Sequence, residues 1–269
     1  MVLTGIPHGA TDHLVFQQLF PHLSPVNFWL RFLGQYLGLI GLYAILWWWM
    51  PLLSLGLFLG FSFYHFGQSE LFFLPISENS WLKKGLYLCW GGCMLLLMLF
   101  SHLEESLLIL QNLSQVSWLR EEILVNWLPV LIGVMGGFTL LGMIYLGIRY
   151  PRIQRDLLLE FGLSLLLIGL VQATSLLLAF AIYFGLWHAG KTIWMEIMMF
   201  RREKKDFSIG QWVKAALPFS LISFSGIGGL LLISQWEGLP LSPVLLFFIM
   251  ISLLTLPHMN LLGALYNKV

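Results

Sequence analysis

The chain has 269 residues, 58% of them hydrophobic and 10% charged, with a mean hydropathy of +0.84. A soluble domain carries roughly 25% charged residues, so this balance excludes a soluble enzyme and a disordered chain. The 14 Lys and Arg against 13 Asp and Glu leave a net charge of +1, which is no electrostatic footprint for nucleic acid. What remains is a polytopic membrane protein. Runs such as 94–100 and 244–251 are apolar on every side, whereas the strands of a membrane barrel alternate. The fold class expected is therefore all-α, a membrane helix bundle.

A span needs about 20 mostly apolar residues. In chain order the candidates are 27–50, 51–68, 85–100, 123–148, 157–171, 174–194, 212–234 and 241–265, about eight in all. The first two are divided at Trp47-Trp48-Trp49-Met50-Pro51. Tryptophan favours the membrane interface, and proline suits the first turn of a new helix. The fifth candidate is short and carries Glu160. No repeat or linker divides the chain, which reads as one domain over 1–269. Cys89 and Cys93, four apart in an apolar run, share a helix face and read as small core residues.

Lys and Arg in short loops set the orientation. One loop holds Arg149, Arg152 and Arg155, and another holds Arg201, Arg202, Lys204 and Lys205. Both are expected in the cytoplasm. The opposite turns carry no charge or only Glu237, and the segment with Glu104, Glu105, Glu121 and Glu122 falls outside. Lys83, Lys84, Arg31 and Lys268 fall inside, which leaves the C-terminus cytoplasmic; Arg120 alone is on the wrong side.

Seven histidines punctuate the chain: His8, His13, His22, His65, His102, His188 and His258. His22 and His102 fall in or beside connections. His65, His188 and His258 lie within three spans that run the same way, at 14, 14 and 17 residues from their starts. An ionisable side chain in a span is costly and points to function. At about 1.5 Å per residue the three differ in depth by about one turn. Three imidazoles on three helices thus share a layer in the inner half of the bilayer, as in metal sites built in bundle cores. Neutral nitrogen donors suit iron, copper, nickel or zinc. His8, which follows Pro7 as His258 follows Pro257, is a candidate fourth ligand. Only seven residues precede it, so a helix before residue 8 is expected to be missing from the sequence. Asp12 lies one helical turn after His8 and could accept its second ring N–H. His13 sits on a different face and is a weaker candidate. Phe63, Tyr64, Tyr183, Phe184 and Trp187 flank the histidines and could line a slot for a long apolar ligand.

At these residues the sequence resembles a known family. Gly5-Ile6-Pro7-His8-Gly9-Ala10-Thr11-Asp12-His13 is similar to the Pro-His-Gly-Ala-x-Asp motif of the Brp/Blh family of β-carotene 15,15′-dioxygenases. Tyr64-His65-Phe66-Gly67, Trp187-His188 and Leu256-Pro257-His258-Met259 resemble its later motifs, in order. The resemblance implies an integral membrane, Fe(II)-dependent oxygenase that splits β-carotene with O₂ into two retinal molecules. It implies His8, His65 and His188 as iron ligands, the inner (plasma) membrane as location, lipid as surroundings, and a microbial rhodopsin as a possible recipient of retinal. Family members carry a second histidine four residues after the third motif's first; here that position is Thr192, a poor iron ligand that falls beside the site. His258 or His13 would then complete the set, and the shared depth favours His258.

Two readings from other classes stand beside this one. Two histidines on facing helices could hold a haem for electron transfer. A retinal-binding protein would need a Schiff-base lysine, for which Lys191 and Lys214, both near span ends, are the candidates.

Overall fold

The computed structural model describes residues 4–203, 205–236 and 243–266. Lys204, Glu237, Lys268 and the start of the last expected span at 241–242 lie outside the described residues. Among the described residues the secondary structure is helical throughout, with no strand. Two short helices come first, α1 (Gly5–Gly9) and α2 (Asp12–Leu19). The long helices α3 (Pro25–Trp49), α4 (Pro51–Leu71) and α5 (Trp81–Ser101) follow. A shorter α6 (Leu103–Ser114) leads to α7 (Glu121–Arg149) and α8 (Gln154–Gln172). A five-residue α9 (Leu176–Phe180) runs through a π-helical stretch (Ala181–His188) into α10 (Ala189–Glu203). Helices α11 (Ile209–Trp236) and α12 (Pro243–Tyr266) close the chain.

The break at the tryptophan patch has a local cause. A proline biases the residue before it away from the helical region. Met50 accordingly leaves the helix at φ −139° and ψ 65°, and Pro51 opens α4.

Among the described residues, six helices are long and apolar enough to cross a membrane: Pro25–Trp49, Trp81–Ser101, Glu121–Arg149, Leu176–Arg202, Ile209–Leu232 and Pro243–Tyr266. The expected count of about eight is not confirmed; α4 and α8 are not among these six. Both are helical at 21 and 19 residues. Their apolar runs are diluted by His65, Gln68 and Glu70 in α4 and by Arg155, Asp156 and Glu160 in α8. The outer faces carry large apolar side chains in the open: Ile148 and Leu158 are 75% and 73% exposed. Such a surface is stable against lipid rather than water.

The chain forms two compact units, Met1–Leu55 with Gly185–Val269, and Gly56–Phe184. In the first, α12 packs on α3 and α2, and α1 packs on α10 and α11. Trp47 donates its indole N–H to the Ser252 hydroxyl at 2.8 Å, tying α3 to α12. Phe16 is buried among Phe20, Phe28 and Phe32 and fastens α2 to α3.

In the second unit α5 is central and packs on α6, α7, α8 and α9. Helices α4 and α5 meet backbone to backbone. A Cβ built on Gly67 or Gly91 would collide with the Tyr87 or Phe63 carbonyl, respectively. Small residues permit this approach between membrane helices. The half-buried Cys93 sits on the α7 side of α5, its sulfur 3.9 Å from the Ile132 carbonyl.

Lys83, expected as a loop charge, is buried on α5. Its ammonium donates to the carbonyls of Phe72, Leu74 and Ile76 at 3.1, 2.8 and 3.1 Å and pairs with Glu78 at 2.6 Å. It thereby holds the α4–α5 connection together. Removing one partner of a buried ion pair costs about 3 kcal/mol. Lys83→Met is therefore expected to lower the thermal midpoint of the detergent-solubilised protein, whereas Lys84→Met at the half-buried neighbour is expected to leave it nearly unchanged.

Candidate metal centre

Three of the four histidines singled out as ligands belong to the first unit, and the fold gathers them. His8 sits on α1 and is 5% exposed; His188 ends the π-helical stretch at 0%; His258 follows Pro257 inside α12 at 4%. The His8 ring lies edge-on to His188 with centroids 5.5 Å apart, and edge-on to His258 at 4.8 Å. Widened π-helical turns are frequent at functional sites. Here the Thr4 hydroxyl donates to the Gly185 carbonyl inside that stretch, joining the residues before α1 to the turn that presents His188.

Second-nitrogen partners orient the rings. Nδ1 of His8 is hydrogen-bonded to the Gly5 carbonyl. Nδ1 of His258 lies 2.7 Å from Asp12 Oδ1. A carbonyl or carboxylate oxygen only accepts, so each Nδ1 carries a proton, and in the neutral ring each Nε2 is left with the lone pair. Asp12 is 2% exposed and also accepts from the Tyr36 hydroxyl at 2.9 Å. The sequence pairs Asp12 with His8 on one helix; the fold instead ends α1 at Gly9 and begins α2 at Asp12. With the helix interrupted, Asp12 turns to His258.

Thr192, at the position of the family's additional histidine, donates to the His188 carbonyl at 2.9 Å and is 1% exposed. Its proton is engaged on the backbone of the residue that carries the imidazole. His13 faces elsewhere, against Trp29 and Phe219, with centroids 6.2 and 4.7 Å away.

The sequence reading missed a second carboxylate. Glu196 on α10 is 0% exposed, and its Oε2 accepts from Thr11 Oγ1 at 2.7 Å and from the Trp212 indole N–H at 3.0 Å. Glu196 falls two residues past the end of the expected span 174–194 and inside the apolar helix Leu176–Arg202, so the in-span signal that singled out the histidines did not mark it.

The second unit holds His65 on α4, 2% exposed and tilted against Phe66 at 6.0 Å. Of the aromatic residues expected to line a slot, Tyr64 packs edge-on to Tyr87 at 5.6 Å, and Tyr183 packs edge-on to Phe66 at 5.1 Å. Phe184 stacks on Phe180 at 5.6 Å, and Phe63 is half-buried beside Gly92. Trp187, in the first unit, is half-buried. His102 bonds the Val171 carbonyl at 3.0 Å, a link from the end of α5 to the end of α8. His22 is exposed on the connection between α2 and α3.

The sequence profile of the Beta-carotene 15,15'-dioxygenase family matches residues 1–266. The chain belongs to this family. No curated protein and no solved structure matches it. The match runs through all four histidine motifs and supports a dioxygenase acting on a carotenoid.

The donor chemistry of the first unit fits a metal ion. Metal-bound histidines almost always give their second N–H to a carboxylate or a backbone carbonyl. His258 and His8 do so here, on Asp12 and Gly5. The imidazoles themselves are neutral nitrogen donors, the class that suits iron, copper and zinc rather than calcium or magnesium.

Proposed function

We propose that the chain is an iron-dependent oxygenase of the inner membrane that cleaves β-carotene at its central double bond with O₂, giving two molecules of all-trans-retinal. The observation that carries this reading is the buried imidazole group of His8, His188 and His258 inside a chain of this family. The bond between the two central carbons breaks and two aldehyde C=O bonds form. Both oxygen atoms of one O₂ are used, so no further reductant is required. Ferrous iron, when bound, supplies the activation of O₂.

The ligand set we assign is His8, His65, His188 and His258, four buried histidines each able to offer one ring nitrogen. Asp12 holds His258 in one tautomer and one orientation, and Gly5 does the same for His8. Thr192 ties the backbone at His188. We assign Phe63, Tyr64, Tyr183, Phe184 and Trp187 to the substrate's surroundings. β-Carotene has no polar group to hydrogen-bond, so its position along the chain has to be set by shape against such rings.

The exposed Arg149, Arg152 and Arg155 are assigned to the cytoplasmic side by the excess of basic residues there. The natural entrance for so apolar a substrate is from the bilayer, and a microbial rhodopsin is the natural consumer of the retinal.

The outer partner of His258 gives a graded test. Losing such a partner lowers metal affinity roughly 10- to 100-fold. Asp12→Ala is expected to fall in that range when the purified protein is titrated with ferrous iron under anaerobic conditions. Asp12→Asn keeps an oxygen for the ring N–H and is expected to lose less.

The function itself is tested by expression in a β-carotene-producing bacterium. The expected result is loss of the orange colour with retinal in the extract. Unbleached cells that contain the protein in their membranes, with iron supplied, would overturn the proposal.

A further inference from the structure

We propose that Glu196 is a positioning residue for the histidine centre, holding the α1–α2 segment, and with it His8, against the helix that carries His188. The proposal rests on the metal-centre reading above and extends it to residues outside the four motif histidines and Asp12.

Glu196 lies within the span Leu176–Arg202, eight residues after His188 on the same run of helix. A carboxylate with no exposure inside an apolar span is costly unless it is hydrogen-bonded. Its hydrogen-bond partners Thr11 and Trp212 come from other segments of the chain. Thr11 Oγ1 is 2.7 Å from Oε2, and the Trp212 indole nitrogen on α11 is 3.0 Å from the same oxygen. Thr11 is itself buried, and its hydroxyl also lies 3.1 Å from the His8 carbonyl. One carboxylate oxygen therefore joins three segments: the corner between α1 and α2, α10 and α11.

The placement matters because α1 and α2 are too short to hold themselves. They have five and eight residues, and isolated helices shorter than about 12–15 residues are marginal. What holds them is contact with longer elements. Asp12 ties this segment to α12 through His258 and to α3 through Tyr36. Glu196 ties the neighbouring residue, Thr11, to α10 and α11. Consecutive residues thus anchor the His8 segment to both halves of the surrounding wall. Glu196 acts through Thr11; no histidine is assigned to it as a hydrogen-bond partner.

The test uses the full chain in lipid nanodiscs, with cobalt(II) as the probe metal and its visible d–d absorption as the signature of ligand geometry. Five proteins are compared: wild type, Glu196→Leu, Glu196→Gln, Thr11→Val and Trp212→Phe. Glu196→Leu is expected to weaken cobalt binding roughly tenfold or more and to alter the d–d bands, the range for loss of an outer partner. Thr11→Val is expected to follow it in direction. Trp212→Phe is expected to have a smaller effect, because Thr11 remains tied. Glu196→Gln keeps an oxygen that accepts from both donors and is expected to restore wild-type bands and near wild-type affinity. Amide exchange of the metal-free proteins over residues 4–19 is expected to rise in Glu196→Leu and Thr11→Val and to stay at the wild-type level in Glu196→Gln.

Unchanged exchange over 4–19 in both Glu196→Leu and Thr11→Val would overturn the proposal. So would a Glu196→Gln protein that loses cobalt as fully as Glu196→Leu, since the charge and not the tie would then be what matters. A wild-type protein that binds no cobalt and no iron would overturn the metal-centre reading instead, and the exchange measurement would still decide whether Glu196 holds the segment.

Discussion

Replacing His188 with alanine is expected to abolish bound iron, while His102→Ala leaves the iron content at the wild-type level. Both residues are histidines in a membrane protein, and their surroundings separate them. His188 has no exposed surface and sits edge-on to His8, 5.5 Å between centroids, in the unit where Asp12 also orients His258. His102 bonds the Val171 carbonyl at 3.0 Å and closes one helix end on another. Removing a ligand from a set of three or four leaves too few donors to retain a divalent ion. Removing the His102 bond costs about 1 kcal/mol of stability, which lowers the melting midpoint without emptying the site. The measurement is iron per protein after chelator washing, on material that elutes from gel filtration as wild type does. His8→Ala and His65→Ala are expected to behave as His188→Ala; iron retained in any of the three removes that residue from the ligand set.

The second large effect concerns packing. Gly67→Ala is expected to destabilise the protein severely, and Gly60→Ala on the same helix to be neutral or slightly stabilising. A Cβ at Gly67 would lie on top of the Tyr87 carbonyl, whereas one at Gly60 meets nothing within 4 Å. The obstacle at Gly67 is backbone, which no rotamer change can move aside. Helices α4 and α5 would have to separate, at a cost of about 3 kcal/mol or more. Alanine's better helix propensity returns only about 1 kcal/mol, so the clash wins at Gly67 and propensity decides at Gly60. Tryptophan fluorescence during thermal unfolding in detergent reads both. Equal midpoints for the two variants would show that α4 and α5 do not touch at Gly67. This contact also explains why a glycine follows the His65-Phe66 pair: the helix that carries His65 is seated by its closest approach to α5.

Much of the architecture was legible because long apolar runs report helices directly. Pro51 marked the start of α4, and the ends of α7 and α8 fell within a few residues of the expected spans. The short elements were not legible. Helices α1, α2 and α6 have 5, 8 and 12 residues, too few turns for a periodic pattern to stand out from their surroundings. That is also why Asp12 was given the wrong partner. Spacing of four implies a shared helix face only if the helix is continuous, and the chain turns between Gly9 and Asp12. The residue it meets, His258, is 246 positions away, a pairing that no local pattern encodes. Glu196 falls just past the end of the expected span, and its partners Thr11 and Trp212 come from elements far apart in sequence. The expected count of spans is not confirmed at α4, whose apolar run is broken by polar residues that include His65.

The central claim is that the chain splits its carotenoid at the middle, and product stoichiometry tests it most directly. Purified protein in nanodiscs, loaded with ferrous iron, is given β-carotene and O₂, and the products are separated by chromatography. Retinal alone is expected, two molecules for each β-carotene consumed, and none from the iron-free or His188→Ala protein. Paired longer and shorter apocarotenals, or retinal formed equally well without iron, would contradict it.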